Sequence, residues 1–214
     1  QTAAEWQQQL TQIIGFGIQH LSAYQLTIEP GTIFHSRTRA GAILTAEPDH
    51  VADLYELTED IAAAAGLPAY EVSNYAAASN QARHNLTYWQ SGNWIAVGPG
   101  AHGRITYPHQ QKRRHFRLRR SPGGWLNDVA SNGHAIEEDR IEAACDMYEE
   151  YWMMGLRLVK GMPLTPPFFA PDIALAGSVF CLDAEWQARL CKEGWLIEEG
   201  GYLKASLQGR MRLD

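Results

Sequence analysis

Two helical patterns alternate with two strand-like runs before residue 80, and this order limits the folding options more than any other feature of the chain. QTAAEWQQQLTQIIGFG places Trp6, Leu10, Ile13 and Ile14 at helical spacing. HLSAYQLTIEPG then alternates: Leu21, Ala23, Gln25 and Thr27 fall on one side of an expected strand, and Ser22, Tyr24, Leu26 and Ile28 on the other. Pro30 and Gly31 end it with a turn signal. A second helix is expected from about Pro48 to Ala65, with Val51, Leu54, Tyr55, Thr58, Ile61 and Ala62 on one stripe and Gly66 and Pro68 as its stop. AYEVSNYA reads as the next strand, and WIAV (Trp94 to Val97) as another. Helix, strand, helix, strand at these lengths predicts an α/β fold of parallel strands joined by crossover helices, with too few strands to close a barrel.

The rest of the chain changes character. KRRHFRLRRSPGG is basic and ends in a turn, so residues 107–136 read as a loop or linker. From about Glu137 a new unit is expected, opening on a long helix through RIEAACDMYEEYWMMGLRLVKG. A proline-rich loop (Pro163 to Pro171) and a helix through AEWQARLCKEG follow, and GWLIEEGGYLKAS reads as a hairpin turning at Gly200 and Gly201. Helices followed by such a hairpin resemble a winged-helix module. The expected division is therefore 1–106, 107–136 and 137–214.

Charge and cysteine usage exclude several classes. Lys and Arg number 18 against 24 Asp and Glu, a net charge of -6, so nothing draws the chain as a whole to nucleic acid or anionic membranes. No apolar run approaches the length of a bilayer span. Cys145, Cys181 and Cys191 are odd in number and have no C-x-x-C spacing, which suits a reducing cytosol and supplies no iron–sulfur or zinc framework. The helical pattern starts almost at Gln1, so the expectation is a segment of a longer protein.

Chemistry concentrates in HNLTYWQSGNWIAVGPGAHG, His84 to Gly103. GPGAHG matches G-x-G-x-x-G, but a dinucleotide site needs a helix opening on those glycines. RITYPHQQKRR follows instead, with a proline and no helical repeat, so that reading falls. His84 and Asn85 precede Tyr88 and Trp89, an imidazole beside flat aromatic surface, as haem iron and a porphyrin face would need. The alternative has His84 capping a turn while Tyr88 and Trp89 pack in the core, and the spacing alone favours it. Lys112, Arg113, Arg114, Arg117, Arg119 and Arg120, with His115 among them, could bind propionates or form a solvated face. Glu29 and Glu71 stand at strand ends with no visible partner. No nucleophile elbow, P-loop or H-E-x-x-H occurs.

LSAYQLTIEPGTIF, YEVSNYA, RHNLTYW and IAVGPGAHGR, in this order, resemble the oxygen-independent coproporphyrinogen III oxidase-like radical S-adenosylmethionine family. The H-N-x-x-Y-W spelling is similar to the haem chaperone branch, and GLRLVKGMPL, LCKEGWLIEE and LKASLQGRMRLD resemble the family's C-terminal domain. The resemblance implies the last strands of an incomplete (β/α) barrel followed by a small, mainly helical winged-helix-like domain. It implies adenosylmethionine and a [4Fe-4S] cluster on a C-x-x-x-C-x-x-C loop in the family, a loop this sequence lacks, so the chain alone is expected to have no radical chemistry. By motif position it implies adenosylmethionine contacts at Thr27 and His102. It implies a haem segment at His84, Asn85, Tyr88 and Trp89, with His84 as the metal ligand. The glycines would let backbone approach the adenosyl group closely. Ala82 departs from the pattern, where a cysteine often precedes R-H-N, as do Ala77, Ala78 and Ser79 at a usual Pro-Gly turn and Ala96 at a usual glycine.

Two functions follow as expectations. One is a haem-trafficking chaperone that hands haem or porphyrin to a receiving protein; the other is a porphyrinogen oxidase decarboxylating propionates. H-N-x-x-Y-W favours the first. No nucleic acid is expected as a partner, and the location is expected to be cytoplasmic. The resemblance adds peripheral membrane association of the longer parent, and a bared sheet edge would favour dimers.

Overall fold

The computed structural model describes residues 1–110, 112–167 and 183–213. The expected proline loop up to Pro171 therefore lies partly outside the described residues, as does Cys181. The chain divides into two compact units, Gln1–Gln81 and Ala82–Leu213. Among the described residues no helix is long and apolar enough to cross a membrane.

The first unit contains α1 (Ala3–Ile14), β1 (His20–Ser22), α2 (Ile33–Arg39), α3 (Pro48–Ala64), β2 (Ala69–Glu71) and β3 (Asn74–Ala76). α1 opens on a capping box, Thr2 accepting from the Glu5 N–H while Glu5 reaches back to the Thr2 N–H. α3 has Pro48 at its first turn and stops before Gly66, as its sequence requires. Ala62, Leu67 and Tyr75 form the buried centre, with Ile14, Ile18, Leu21, Ala23 and Ala69 packed around it.

The expected parallel arrangement is not found. The sheet order is β1-β3-β2, with both neighbour pairs antiparallel. AYEVSNYA is not one strand but a hairpin, because the buried Glu71 carboxylate takes the Ser73 N–H at 3.3 Å and the Asn74 amide, fixing a turn at Val72 and Ser73. That turn limits what β1 can pair with. The Ala23 N–H still reaches Ser73 O at 2.9 Å, but residues 24–29 have no strand partner among the described residues and run as irregular chain. Thr27 therefore lies on no strand and is exposed.

The second unit starts with α4 (Arg83–Trp89) and continues through β4 (His102–Tyr107), β5 (Lys112–Leu118), α5 (Pro122–Asn132), β6 (Ile136–Glu142) and α6 (Ala144–Gly155). It ends with β7 (Met162–Pro163), α7 (Ala184–Lys192), β8 (Leu196–Glu199), β9 (Tyr202–Ala205) and α8 (Leu207–Arg210). Two antiparallel sheets result, β4-β5-β6 and β7-β9-β8. Met147, Tyr148, Tyr151 and Trp152 of α6 form the main core with Leu158, Met162 and Leu203.

Four expectations are corrected here. WIAV is no strand; only Trp94 makes a bridge, to Arg104, and Ile95 and Val97 are exposed. Residues 107–136 are no linker, because the basic run is β5 and SPGGWLNDVASN is α5, opened by Ser121 and closed by Gly133 at φ 74°. The unit boundary accordingly falls after Gln81 rather than near 106 or 136. The long helix starts only at Ala144, since Arg140 to Glu142 belong to β6.

α7 and the β8–β9 hairpin arise where the sequence places them, with Gly200 at φ 59° and Gly201 at φ 79° making the tight turn. Asp183 caps α7 by accepting from the Glu185 N–H at 2.9 Å and the Trp186 N–H at 3.1 Å. Asp183→Ala should therefore cost about 1 kcal/mol in urea unfolding, and an unchanged midpoint would refute the cap's role.

Candidate functional site

α4 is a helix because RHNLTYW, preceded by Ala82 and free of glycine and proline, places His84 and Tyr88 four residues apart on one face. Trp89 is turned about 100° further round the helix. The two aromatics expected to flank one planar ligand therefore separate. Tyr88 meets the exposed His84 ring edge-on, centroids 4.7 Å apart at 71°. Trp89 packs against the core formed by α6, with the Arg157 guanidinium 5.6 Å from its ring and its indole N–H buried with no hydrogen-bond partner among the described residues. Trp89 is thus a core residue, and the part of the structural alternative that concerns it holds. The part that concerns His84 does not: Ala82 is the N-cap and makes no side-chain cap bond, and among the described residues no hydrogen bond holds either nitrogen of His84. Asn85 is half-buried.

A further ring continues the face. Trp94 lies 4.2 Å from the Tyr88 centroid at 45°, and the Arg104 guanidinium carbon lies 4.2 Å from the Trp94 ring. Trp94 is held in place by its indole N–H, which donates to His102 O at 3.1 Å, and by paired backbone bonds with Arg104 of 2.9 and 2.8 Å. His102 itself is exposed at the start of β4. The glycines beside it have internal reasons for being glycine. Gly100 takes φ 70° where its N–H bonds Arg119 O, and a Cβ on Gly103 would sit 2.2 Å from the Phe116 ring.

Beneath Trp94 lies a buried charge network that spacing did not reveal. Arg104 and Arg113 are each 0% exposed. Their guanidiniums share Glu150, Arg104 Nη1 donating to Oε1 at 2.6 Å and Arg113 Nη1 donating to Oε2. Arg104 also donates to Gly92 O at 3.2 Å. Arg113 donates to Thr106 Oγ1 at 3.0 Å and to Ser91 Oγ at 3.3 Å. Ser91 has φ 58°, a left-handed conformation that ends α4. Burial first, then the Arg113 charge, pulls Arg104 down to about 10 against the opposing effect of Glu150 and Glu142.

The other basic residues are also occupied. Arg114 forms a bidentate pair with Asp139, Arg117 meets Glu137 and Glu138, and Arg119 meets Asp128. The patch expected to reach propionates is thus largely neutralised by the acidic strand β6. Lys112 and Arg120, both exposed, have no ion pair among the described residues.

His115 Nε2 lies 3.0 Å from Glu142 Oε2, and His115, Glu142 and Glu150 bring potential ligand atoms within 4.8 Å of one another. Both oxygens of Glu150 already accept from guanidiniums, so a cation would displace them and sit beside two buried positive charges. The trio belongs to the ion-pair network and is not a metal centre. Burial pushes His115 below its ordinary value of 6.5, with Arg104 and Arg140 adding to the push and Glu142 and Glu150 opposing it. The unfolded chain then takes up this proton first, so stability falls as pH drops below about 6.5. Urea midpoints between pH 7 and pH 5 should decline in the parent and flatten in His115→Gln; parallel slopes would refute the assignment.

No family model matches the chain. It is 33% identical over 219 residues to the mouse protein "Radical S-adenosyl methionine domain-containing protein 1, mitochondrial", covering 100% of this chain and 49% of the mouse one. It is 37% identical over 154 residues to "Heme chaperone HemW" of Escherichia coli K12, covering 72% of this chain and 38% of that one. The chain spans about half the length of the relatives it matches along its whole extent. The solved coproporphyrinogen III oxidase (HemN) of Escherichia coli, described as a radical SAM enzyme, superposes with a TM-score of 0.66 at 13% identity, covering 100% of this chain and 50% of the enzyme. That likeness is one of fold, a mixed α/β architecture shared over the whole chain. The sequence matches carry the assignment: the chain is a homologue of the radical S-adenosyl methionine domain-containing proteins and of the proteins named heme chaperone HemW, and it corresponds to about half the length of the former.

Proposed function

We propose that the chain is the haem-holding portion of a haem chaperone, with His84 of α4 as the iron ligand. The observation that carries this reading is the exposed His84 imidazole, held by no hydrogen bond among the described residues and flanked edge-on by Tyr88 at 4.7 Å. A neutral imidazole nitrogen would hold haem iron there, and its exposure would leave the cargo accessible to a receiving protein. Relatives bearing the name "Heme chaperone HemW" support the cargo. Lys112 and Arg120 are the cations of the basic stretch left to attract propionates.

The chain's own residues do not fit an iron–sulfur cluster. Cys145 and Cys191 are free thiols on separate helices, and the three cysteines form no C-x-x-x-C-x-x-C loop. No step is therefore assigned to radical chemistry in this chain. Thr27 and His102, exposed in different units, stand as adenosylmethionine contacts on motif position alone. α7 with the β8–β9 hairpin supports a winged-helix-like end. Exposed Phe16, Tyr24, Ile33 and Ile43 in the first unit support self-association. Cysteine usage supports a reducing compartment.

Titrating haemin and metal-free coproporphyrin into the chain separates the two functions. The chaperone reading expects saturable haemin binding with a shifted Soret band and much weaker binding of the metal-free ring. Equal binding of both would favour porphyrinogen chemistry instead.

A further inference from the structure

We infer that Trp94 is a positioning residue for His84, acting through Tyr88; this rests on the haem-ligand reading of His84. His84 sits on a helix of seven residues that has no side-chain N-cap bond, and its ring is exposed, so little in α4 itself restricts its rotamers. What restricts it is the row His84–Tyr88–Trp94–Arg104, with ring centroids 4.7 and 4.2 Å apart and the guanidinium carbon 4.2 Å from the last ring. The row is rooted, because Arg104 is buried and bonded to Glu150. Trp94 cannot drift, since its indole N–H is bonded to His102 O and its backbone is bridged to Arg104 on both sides. The far end of α4 is fixed by the same network, through the Arg113 bonds to Ser91.

A ligand whose ring is already ordered loses less freedom on coordination. Immobilising one free side chain opposes binding by roughly 0.5–1.5 kcal/mol, which converts to about two- to tenfold in affinity. Trp94 supplies that ordering without touching the iron. Trp89, although part of H-N-x-x-Y-W, cannot supply it, because its ring lies in the core against α6.

Three variants of the chain test this: Trp94→Leu, Trp94→Phe and His84→Ala, each first checked for folding by circular dichroism. Two readouts are used, the ring-proton shifts of His84 in the haem-free chain and the rate at which haemin passes to excess apomyoglobin. Trp94→Leu should move the His84 ring protons toward the position of an unstacked histidine and speed haemin loss two- to tenfold. Its Soret maximum should stay that of the parent, because the ligand is unchanged. Trp94→Phe keeps a ring and should restore most of both readouts. If Trp94→Leu does not fold, Trp94→Phe is compared with Trp94→Met by the same two readouts. Unmoved His84 shifts, or an unchanged haemin loss rate, would overturn the role of Trp94 while leaving His84 as ligand. A His84→Ala chain that keeps the parent's Soret band and loss rate would overturn the ligand reading itself, whatever the Trp94 shifts show.

Discussion

Glu150→Ala should destabilise the chain by about 3–5 kcal/mol, the expected cost of leaving buried charge without its partner. One carboxylate with a 21% exposed side chain bridges two guanidiniums whose side chains are 1% and 0% exposed. Both of its oxygens are in use. Removing it leaves Arg104 and Arg113 facing each other, and Arg104 already sits near 10 with Glu150 in place. Glu150→Gln keeps the shape and one acceptor, so its cost should be smaller. Urea unfolding at pH 7 reads both directly, and a Glu150→Ala midpoint equal to the parent's would mean that the pair contributes nothing. Because Arg113 also holds Ser91 at the end of α4, the same variant should loosen the helix that carries His84. Haemin should then leave it faster even below the unfolding transition.

This network shows what kind of information a linear reading holds. α3, α7 and the final hairpin were legible because each is specified locally, by helical period, a proline at N1, an aspartate cap or a Gly-Gly turn. HLSAYQLTIEPG has equally clear alternation, yet only His20–Ser22 is strand, since a strand needs a partner and β3, paired antiparallel, begins only at Asn74. KRRHFRL read as a solvated loop because its partner, IEEDRIE, lies beyond α5. Paired in register, Arg117 faces Glu138 and Arg113 faces Glu142, and opposite charges across strands turn two unpromising runs into a stable ladder. At the site, the helical spacing of RHNLTYW already contained the separation of Tyr88 from Trp89. What spacing could not contain was Trp94, brought to Tyr88 by its bridge to Arg104.

His84→Ala is expected to remove most haem affinity while sparing the fold. The imidazole is exposed and belongs to neither the core nor the charge network, so its loss should leave the free energy of urea unfolding within about 0.5 kcal/mol of the parent's. Losing the proposed iron ligand should weaken haemin binding by at least about tenfold, or 1.4 kcal/mol. It should also move the Soret maximum toward that of free haemin. His102→Ala serves as the control, because His102 is exposed on β4 and only its backbone carbonyl supports Trp94. The decisive measurement is a haemin titration of the parent, His84→Ala and His102→Ala chains at one pH, following the Soret band. The parent and His102→Ala curves should coincide, while His84→Ala should show a shifted maximum and at least tenfold weaker binding. Three superimposable curves would contradict the haem-ligand reading of His84.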